Sequence, residues 1–450
     1  MDSVMIDTSE DSYFQQLRAL NEHYSCFVTL LEPEKTGSGN ELQPRLGMPR
    51  TRSGLTVGIK DCIDIGGVRG TWGSGIQRAR IASADAAVIA SLRAMGAKLV
   101  ATTNLHEFAF GGTTQNPHFG NCRNAWSDDR VPGGSSGGSA VAVALGLCDV
   151  ALGTDTGASV RMPSALNGVI GFRPTHGAVS SRGVMPVSPP HDTVGVLGRD
   201  IETVRRVFVA IQGFDPLDPY SQVRPAAAHT DETGNAAIRL GVAKALVDGC
   251  EPAIVRAFED GLRVCRGLAF APTDIASLSF VDVASHLSAI VIADAASFHR
   301  ERLASQPENV GAAIHSRIAR GLRMTAVEYA DHLRWMEGYQ HEVAMTFRDV
   351  DFIIAPSVPV SPPLIVDCDN AVTATQMLSR NCWFAPGAGL PAITVPCGLD
   401  DNGIPVGLQI AGPRWSDLRL LALAEAILDG LPSIGRPAEF VNMGSQPASY

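Results

Sequence analysis

At 450 residues, 45% hydrophobic and 18% charged, the chain has the make-up of a folded globular protein, long enough for one large α/β domain or two to three ordinary ones. Lysine and arginine total 36 against 46 aspartates and glutamates, a formal charge of −10 with no basic stripe, which argues against a nucleic-acid partner. The amino terminus lacks a basic-then-apolar leader, and the longest apolar stretch, Ala140 to Val150, holds Asp149 and falls short of the roughly 20 residues a bilayer needs, so a cytoplasmic protein without a membrane partner is expected.

Residues 1 to about 52 read as a helical and loop preamble. Leu55-Thr56-Val57-Gly58-Ile59 is a β-branched run expected to form a buried strand that ends at Lys60. A helix is expected from about Ala84 to Met95, with Val88, Leu92 and Met95 on one face and Gly96 as its stop. A strand follows at Lys98 to Thr102. The glycine-rich loop Pro132 to Gly138 feeds a helix from about Ser139 to Leu147, and the strand Val150 to Thr154 runs directly into Asp155-Thr156-Gly157-Ala158-Ser159. Residues 200 to 345 are mostly helical in pattern, for example Ile201, Val204, Val207, Phe208 and Ile211, with a polar break near Ala226 to Gly234. Strands return at Phe352 to Ile354, Ala392 to Val395 and Val406 to Ile410, before a helix from about Asp417 to Leu428. Such alternation predicts an α/β layered sheet, and strands at both ends of the chain favour a single domain over two.

The nine cysteines are scattered, odd in number and without a C-x-x-C pair, which argues against a disulfide framework or a zinc ribbon. Cys62, two residues from Lys60, is a minor alternative nucleophile. His106-Glu107 begins like the zinc motif H-E-x-x-H, but Phe110 holds the second histidine position. His118, His176 and His191 lack ligand spacing and read as turn or packing residues. No metal is implied, and the chain has neither of the glycine-rich nucleotide loops, so no cofactor is expected.

Gly133-Gly134-Ser135-Ser136-Gly137 satisfies G-x-S-x-G, yet the polar stretch Asn124 to Arg130 and Pro132 stand where a nucleophile elbow needs a strand. Taken with Gly58-Ile59-Lys60-Asp61 and Gly153 to Pro163, the loop acquires a different meaning. Lys60 and Ser135 are 75 residues apart, and Ser135 and Ser159 are 24 apart. These three segments, with Asn104 to Gly111, Gly168 to Thr175, Gly389 to Ala392 and Val406 to Gln409, resemble the amidase signature hydrolases. The likeness is strong over residues 54 to 200 and 351 to 430.

The resemblance implies one domain over 1–450: the preamble 1–52, a signature core 54–200, a variable helical segment 201–345, and strands and a helix at 346–450 that complete one mixed sheet of about eleven strands with helices on both faces. It implies Ser159 as nucleophile, Ser135 as a proton relay after a cis peptide with Gly134, and Lys60 as base. A lysine can act so only when desolvation or nearby positive charge brings its pKa toward neutrality. The N–H groups of Thr156, Gly157, Ala158 and Ser159 would form the oxyanion hole, with Gly134, Asp155 and Arg161 in structural support. Ala158 stands where the family has glycine, and strain is expected there if that position needs a positive φ. Trp72, Phe108, Phe110, Trp383 and Phe384 are candidates for an acyl pocket, with core packing expected for at least half of them.

The activity implied is hydrolysis of amide C–N bonds through an acyl-enzyme, with carbamates, ureas and esters as further substrates. The partner expected is a small amide-type substrate for a monomer or homodimer. The alternative is a non-autonomous subunit of a glutamine-dependent amidotransferase. Departures around Ala355-Pro356 and Ala385 to Ala388 weigh toward the free-standing amidase.

Overall fold

The computed structural model describes residues 10–32, 54–226, 238–275, 279–368 and 371–440. In chain order the strands among them are β1 Phe27–Leu30, β2 Thr56–Lys60, β3 Lys98–Thr103, the hairpin of β4 Gln115–Asn116 and β5 Gly120–Asn121, β6 Val150–Thr154, β7 Ile170–Arg173, β8 Val194–Gly198, β9 Arg239–Val242, β10 Ala271–Asp274, β11 Phe352–Pro356, β12 Ala392–Leu399 and β13 Pro405–Ala411. Hairpin apart, they form one mixed eleven-stranded sheet in the order β1-β3-β2-β6-β8-β7-β12-β13-β11-β9-β10.

Two parallel pairings set the geometry at one edge of this sheet. β2 lies between β3 and β6 and runs parallel to both, with Val57 opposite Val150 and Ile59 opposite Leu152. The carboxyl ends of β2 and β6, Lys60 and Thr154, therefore emerge side by side, at the sheet edge where open α/β folds place ligands. From β6 through β8, β7, β12, β13 and β11 the neighbours are antiparallel.

Side chains alternate across each strand and so divide between the two faces. On β6, Val150 and Leu152 join the large core with Val57, Ile59, Val194 and Val196, whereas Ala151 joins a second core with Val100, Leu197 and the helix Gly137–Ala144. That helix is buried all round, as an Ala/Val/Gly helix with no polar stripe must be. Helix Ile201–Ile211 shows the opposite regime. Its Asp200 side chain accepts from the Thr203 N–H as an N-cap, and Ile201, Val204, Val207, Phe208 and Ile211 form the buried face.

The segment expected to be variable and helical carries Pro252–Gly267, Asp282–Ser305, Ala312–Leu322 and Ala326–Thr346, but also β9 and β10 at the far edge of the sheet. The polar break near 226–234 lies outside the described residues beyond Ala226. Of the preamble, Glu10–Tyr24 is helical and β1 adds a strand next to β3; residues 1–9 and 33–52 lie outside the description. No described helix is long and apolar enough to cross a membrane.

Candidate active site

Because β2 is sandwiched between two parallel neighbours, its last residue is wrapped on every side. Lys60 is 0% exposed. Its Nζ lies 2.7 Å from Ser135 Oγ and 2.7 Å from Thr154 Oγ1, with the Thr154 carbonyl at 3.5 Å. No carboxylate among the described residues pairs with it. Burial pushes the amine down to about 8, against the opposing pull of Cys62, Asp155 and Asp192. A lysine at that value carries an appreciable neutral fraction near pH 7 and can accept a proton.

The loop that delivers Ser135 is fixed by its glycines. Gly133 has φ +78°, and a Cβ on Gly134 would come within 2.7 Å of Thr114 Oγ1. Thr114 Oγ1 donates to the Gly133 carbonyl at 2.8 Å and accepts from the Gly137 N–H at 3.1 Å, so one hydroxyl spans the loop. The Gly134–Ser135 peptide is cis. The Ser135 carbonyl accepts from the His106 N–H at 3.1 Å, and the Ser136 N–H donates to the Ser159 carbonyl at 3.3 Å. The two loops are thereby tied through backbone. Ser159 Oγ makes no hydrogen bond to a described residue, and of the three side chains Ser159 alone is partly exposed.

The turn after β6 has an unusual polarity. The N–H groups of Asp155, Val160, Arg161 and Met162 all have acceptors. Among the described residues none faces the N–H groups of Thr156, Gly157, Ala158 and Ser159. Four consecutive orphan donors in a largely buried turn form a concentrated patch of partial positive charge, suited to developing negative charge on oxygen.

Beneath the turn lies a buried ion cluster. Arg161 donates from Nε and Nη2 to Asp155 at 3.0 and 2.9 Å, to the Gly157 carbonyl at 2.8 Å, to the Cys382 carbonyl at 2.7 Å, and to Gln409 Oε1 on β13. Arg173, at the end of β7, donates to the Asp155 carbonyl and, at 3.0 Å, to the His191 carbonyl. Burial opposes ionisation of Asp155, but the two guanidinium groups hold its carboxyl below the usual range. Thr156 Oγ1 donates to Asp192 at 2.6 Å. Sequence reasoning named Asp155 and Arg161 but gave no role to Arg173, Asp192 or Thr154. Strand ends adjacent to the named motifs were the signal that could have found the first and the last.

Three expectations need revision. Ala158 is not among the residues with positive φ, so the strain anticipated there has no basis; its methyl is instead buried with Val131, Met162, Ala165 and Cys382. Cys62 is fully buried with its thiol pushed up to about 11 by that burial, which leaves it protonated and out of reach. His118 is more than a packing residue, for its Nε2 lies 3.1 Å from Glu107, which also accepts from Ser74 and from the Gly311 N–H. Of the five aromatic candidates Phe108, Phe110 and Phe384 are buried in the core, and Trp72 and Trp383 are partly exposed. Trp383 closes on the turn: a Cβ on Gly157 would meet its ring at 2.6 Å. Among the described residues no three His, Cys, Asp or Glu side chains converge as metal ligands would.

The Amidase family profile matches residues 11–421. The A-subunit of a glutamyl-tRNA(Gln) amidotransferase from Symbiobacterium thermophilum is 33% identical over 426 residues, 88% of this chain and 85% of that protein. The corresponding A-subunit structure from Thermotoga maritima superposes with a TM-score of 0.77 at 27% identity, covering 95% of this chain and 94% of that one. A crystallised amidase gives 0.78 at 27% identity, covering 94% and 95%. These relatives overturn the expectation of a small-molecule partner alone, with no nucleic acid and a monomer or homodimer: the A-subunits are named as one part of an assembly and for a tRNA. A net charge of −10 reports the field of one chain taken alone, so it did not suffice to exclude a nucleic-acid partner. The chain belongs to the Amidase family, and it is an enzyme that hydrolyses amide C–N bonds.

Proposed function

We propose that hydrolysis proceeds through Lys60, Ser135 and Ser159. Neutral Lys60 accepts the Ser135 proton while Ser135 Oγ accepts that of Ser159, whose oxygen attacks the amide carbonyl. The N–H groups of Thr156, Gly157, Ala158 and Ser159 hold the oxyanion, Ser135 returns the proton to the departing amine, and water then cleaves the acyl-enzyme by the same route. The observation that carries this reading is the 2.7 Å contact between a fully buried lysine amine, lowered to about 8, and Ser135 Oγ. The unpaired Ser159 hydroxyl is compatible with it, since catalytic hydrogen bonds of this kind tighten only around the reacting group.

For the physiological setting, the 33% identity to an amidotransferase A-subunit over 88% of the chain favours the glutaminase part of a tRNA-dependent amidotransferase over a free-standing amidase. The free-standing reading draws on the comparable likeness to a crystallised amidase. The purified chain is to be assayed with glutamine and with primary amides, anilides, carbamates and esters, by itself and with candidate partner proteins. Glutamine hydrolysis that appears only with partners supports the amidotransferase reading; vigorous turnover of a simple anilide by the isolated chain contradicts it.

A further inference from the structure

The pairing of β6 with β8 continues past the end of the ladder. Thr154 stands opposite Val194, and one residue on, the Asp155 N–H donates to the Thr193 carbonyl at 2.8 Å. One residue further the same register is carried by a side chain: the Thr156 hydroxyl donates to Asp192 Oδ1 at 2.6 Å. Thr156 is thereby held beside the chain that precedes β8, while its own N–H, the first of the four orphan donors, meets no acceptor among the described residues.

Asp192 is itself a fixed point. Its Oδ2 accepts from the Val187 N–H at 2.8 Å and the Ser188 N–H at 3.0 Å, which closes the loop 187–192 on its own carboxylate. The His191 and Asp192 N–H groups both donate to the Ser188 carbonyl, at 2.8 and 2.9 Å. The loop is pinned from outside as well. Arg173 donates to the His191 carbonyl at 3.0 Å, and the Ser188 hydroxyl donates to Asp294 at 2.6 Å, a residue of the helix Asp282–Ser305 whose other oxygen takes the Tyr329 hydroxyl at 2.8 Å. The two oxygens of Asp192 therefore divide the work: Oδ2 closes the loop, and Oδ1 holds Thr156.

We infer that Asp192 is a positioning residue for amide hydrolysis: through the Thr156 hydroxyl it fixes where the first donor of the oxyanion turn stands. Charge developing on oxygen is stabilised by donors already in place, and a misplacement of about 1 Å lowers a rate on the order of a hundredfold. A Thr156 side chain released from Asp192 leaves the peptide that carries this N–H free to turn. Such a donor acts on the oxyanion and not on the bound amide, so its displacement is read in kcat rather than in KM. The assignment rests on the reading of Thr156 to Ser159 as the oxyanion hole.

The test is a double-mutant cycle in steady-state kinetics on an amide that the enzyme turns over, with partner proteins added where turnover requires them. kcat is taken per folded molecule, counted from the amplitude of thermal unfolding. Thr156→Val, which keeps the shape and removes the hydroxyl, is expected to lower kcat about ten- to a hundredfold with KM little changed; Thr156→Ser, which restores the hydroxyl, should stay within about threefold of the wild type. In an Asp192→Ala background the same Thr156→Val step is expected to lower kcat by less than about twofold, because the partner is already gone. Where Asp192→Ala does not fold, Asp192→Asn serves the same cycle, and there too the step is expected to shrink. Wild-type kcat in Thr156→Val, a loss confined to KM, a Thr156→Ser as slow as Thr156→Val, or an undiminished Thr156→Val step in the Asp192 variant would each overturn the assignment. Coupled losses beside a Ser159→Ala that still turns over would keep Asp192 as a positioning residue and remove Ser159 as nucleophile; uncoupled losses beside an inactive Ser159→Ala would do the reverse.

Discussion

Thr154 Oγ1 and Lys60 Nζ lie 2.7 Å apart at the ends of adjacent parallel strands, so the strand that leads into the Ser159 turn also orients the amine that faces Ser135. Two hydroxyls at equal distance hold the amine between them. Thr154→Val keeps the shape and removes one of them. Turnover is expected to fall by roughly ten- to a hundredfold with KM little changed, as for a group that positions a base without touching substrate. Steady-state kinetics on any turned-over amide would check this, and a change confined to KM would speak against it.

As the proposed base, Lys60 is expected to set the pH response as well. Its folded value of about 8 lies below the ordinary 10.5, so kcat is expected to rise with pH and level off above about 8. Between about pH 8 and 10.5 the unfolded chain keeps a proton that the folded chain has released, so this residue's contribution to stability improves as pH rises through that window. At pH 7 the native state bears most of the cost of a buried amine. Lys60→Met is therefore expected to be inactive and more stable by roughly 2–3 kcal/mol, measured by denaturant unfolding at pH 7. A loss of stability would mean that the amine is held charged by a partner.

The cluster beneath the turn behaves in the opposite sense. Removing one side of a buried ion pair leaves the other uncompensated, and Asp155→Ala exposes two buried guanidinium groups to that penalty. The expected loss is about 3–5 kcal/mol, visible as a lower denaturation midpoint. Arg161→Ala should lose a similar amount and also free the Gly157 carbonyl, with turnover falling even where the protein remains folded.

Ala158→Gly is expected to bring no gain in rate. The position has an ordinary backbone and a buried methyl, so glycine loses packing and adds chain entropy, a destabilisation of about 1 kcal/mol. A marked acceleration would restore the idea that the methyl hinders the turn.

The parts of this molecule legible in its sequence were those with a local cause. β2 is a β-branched run that ends at Lys60, β6 a largely apolar run that ends at Thr154, and the helix of Ile201, Val204 and Val207 has a regular apolar face. β7 and β8 escaped because Ile170-Gly171-Phe172-Arg173 is only four residues long and Val194-Gly195-Val196-Leu197-Gly198 has glycine at two of its five positions. β10, Ala271-Pro272-Thr273-Asp274, has no alternation to read; it lies at the sheet edge, where a proline is tolerated. Thr154 was visible as a strand residue but not as a partner of Lys60, because that contact depends on the register between β2 and β6.

The relay itself is tested most directly by mapping a serine-directed phosphonate by mass spectrometry. A single adduct on Ser159 is expected, absent in Ser159→Ala and formed far more slowly in Ser135→Ala and Lys60→Met. An adduct on Ser135, or undiminished labelling of Ser159→Ala, would contradict the relay.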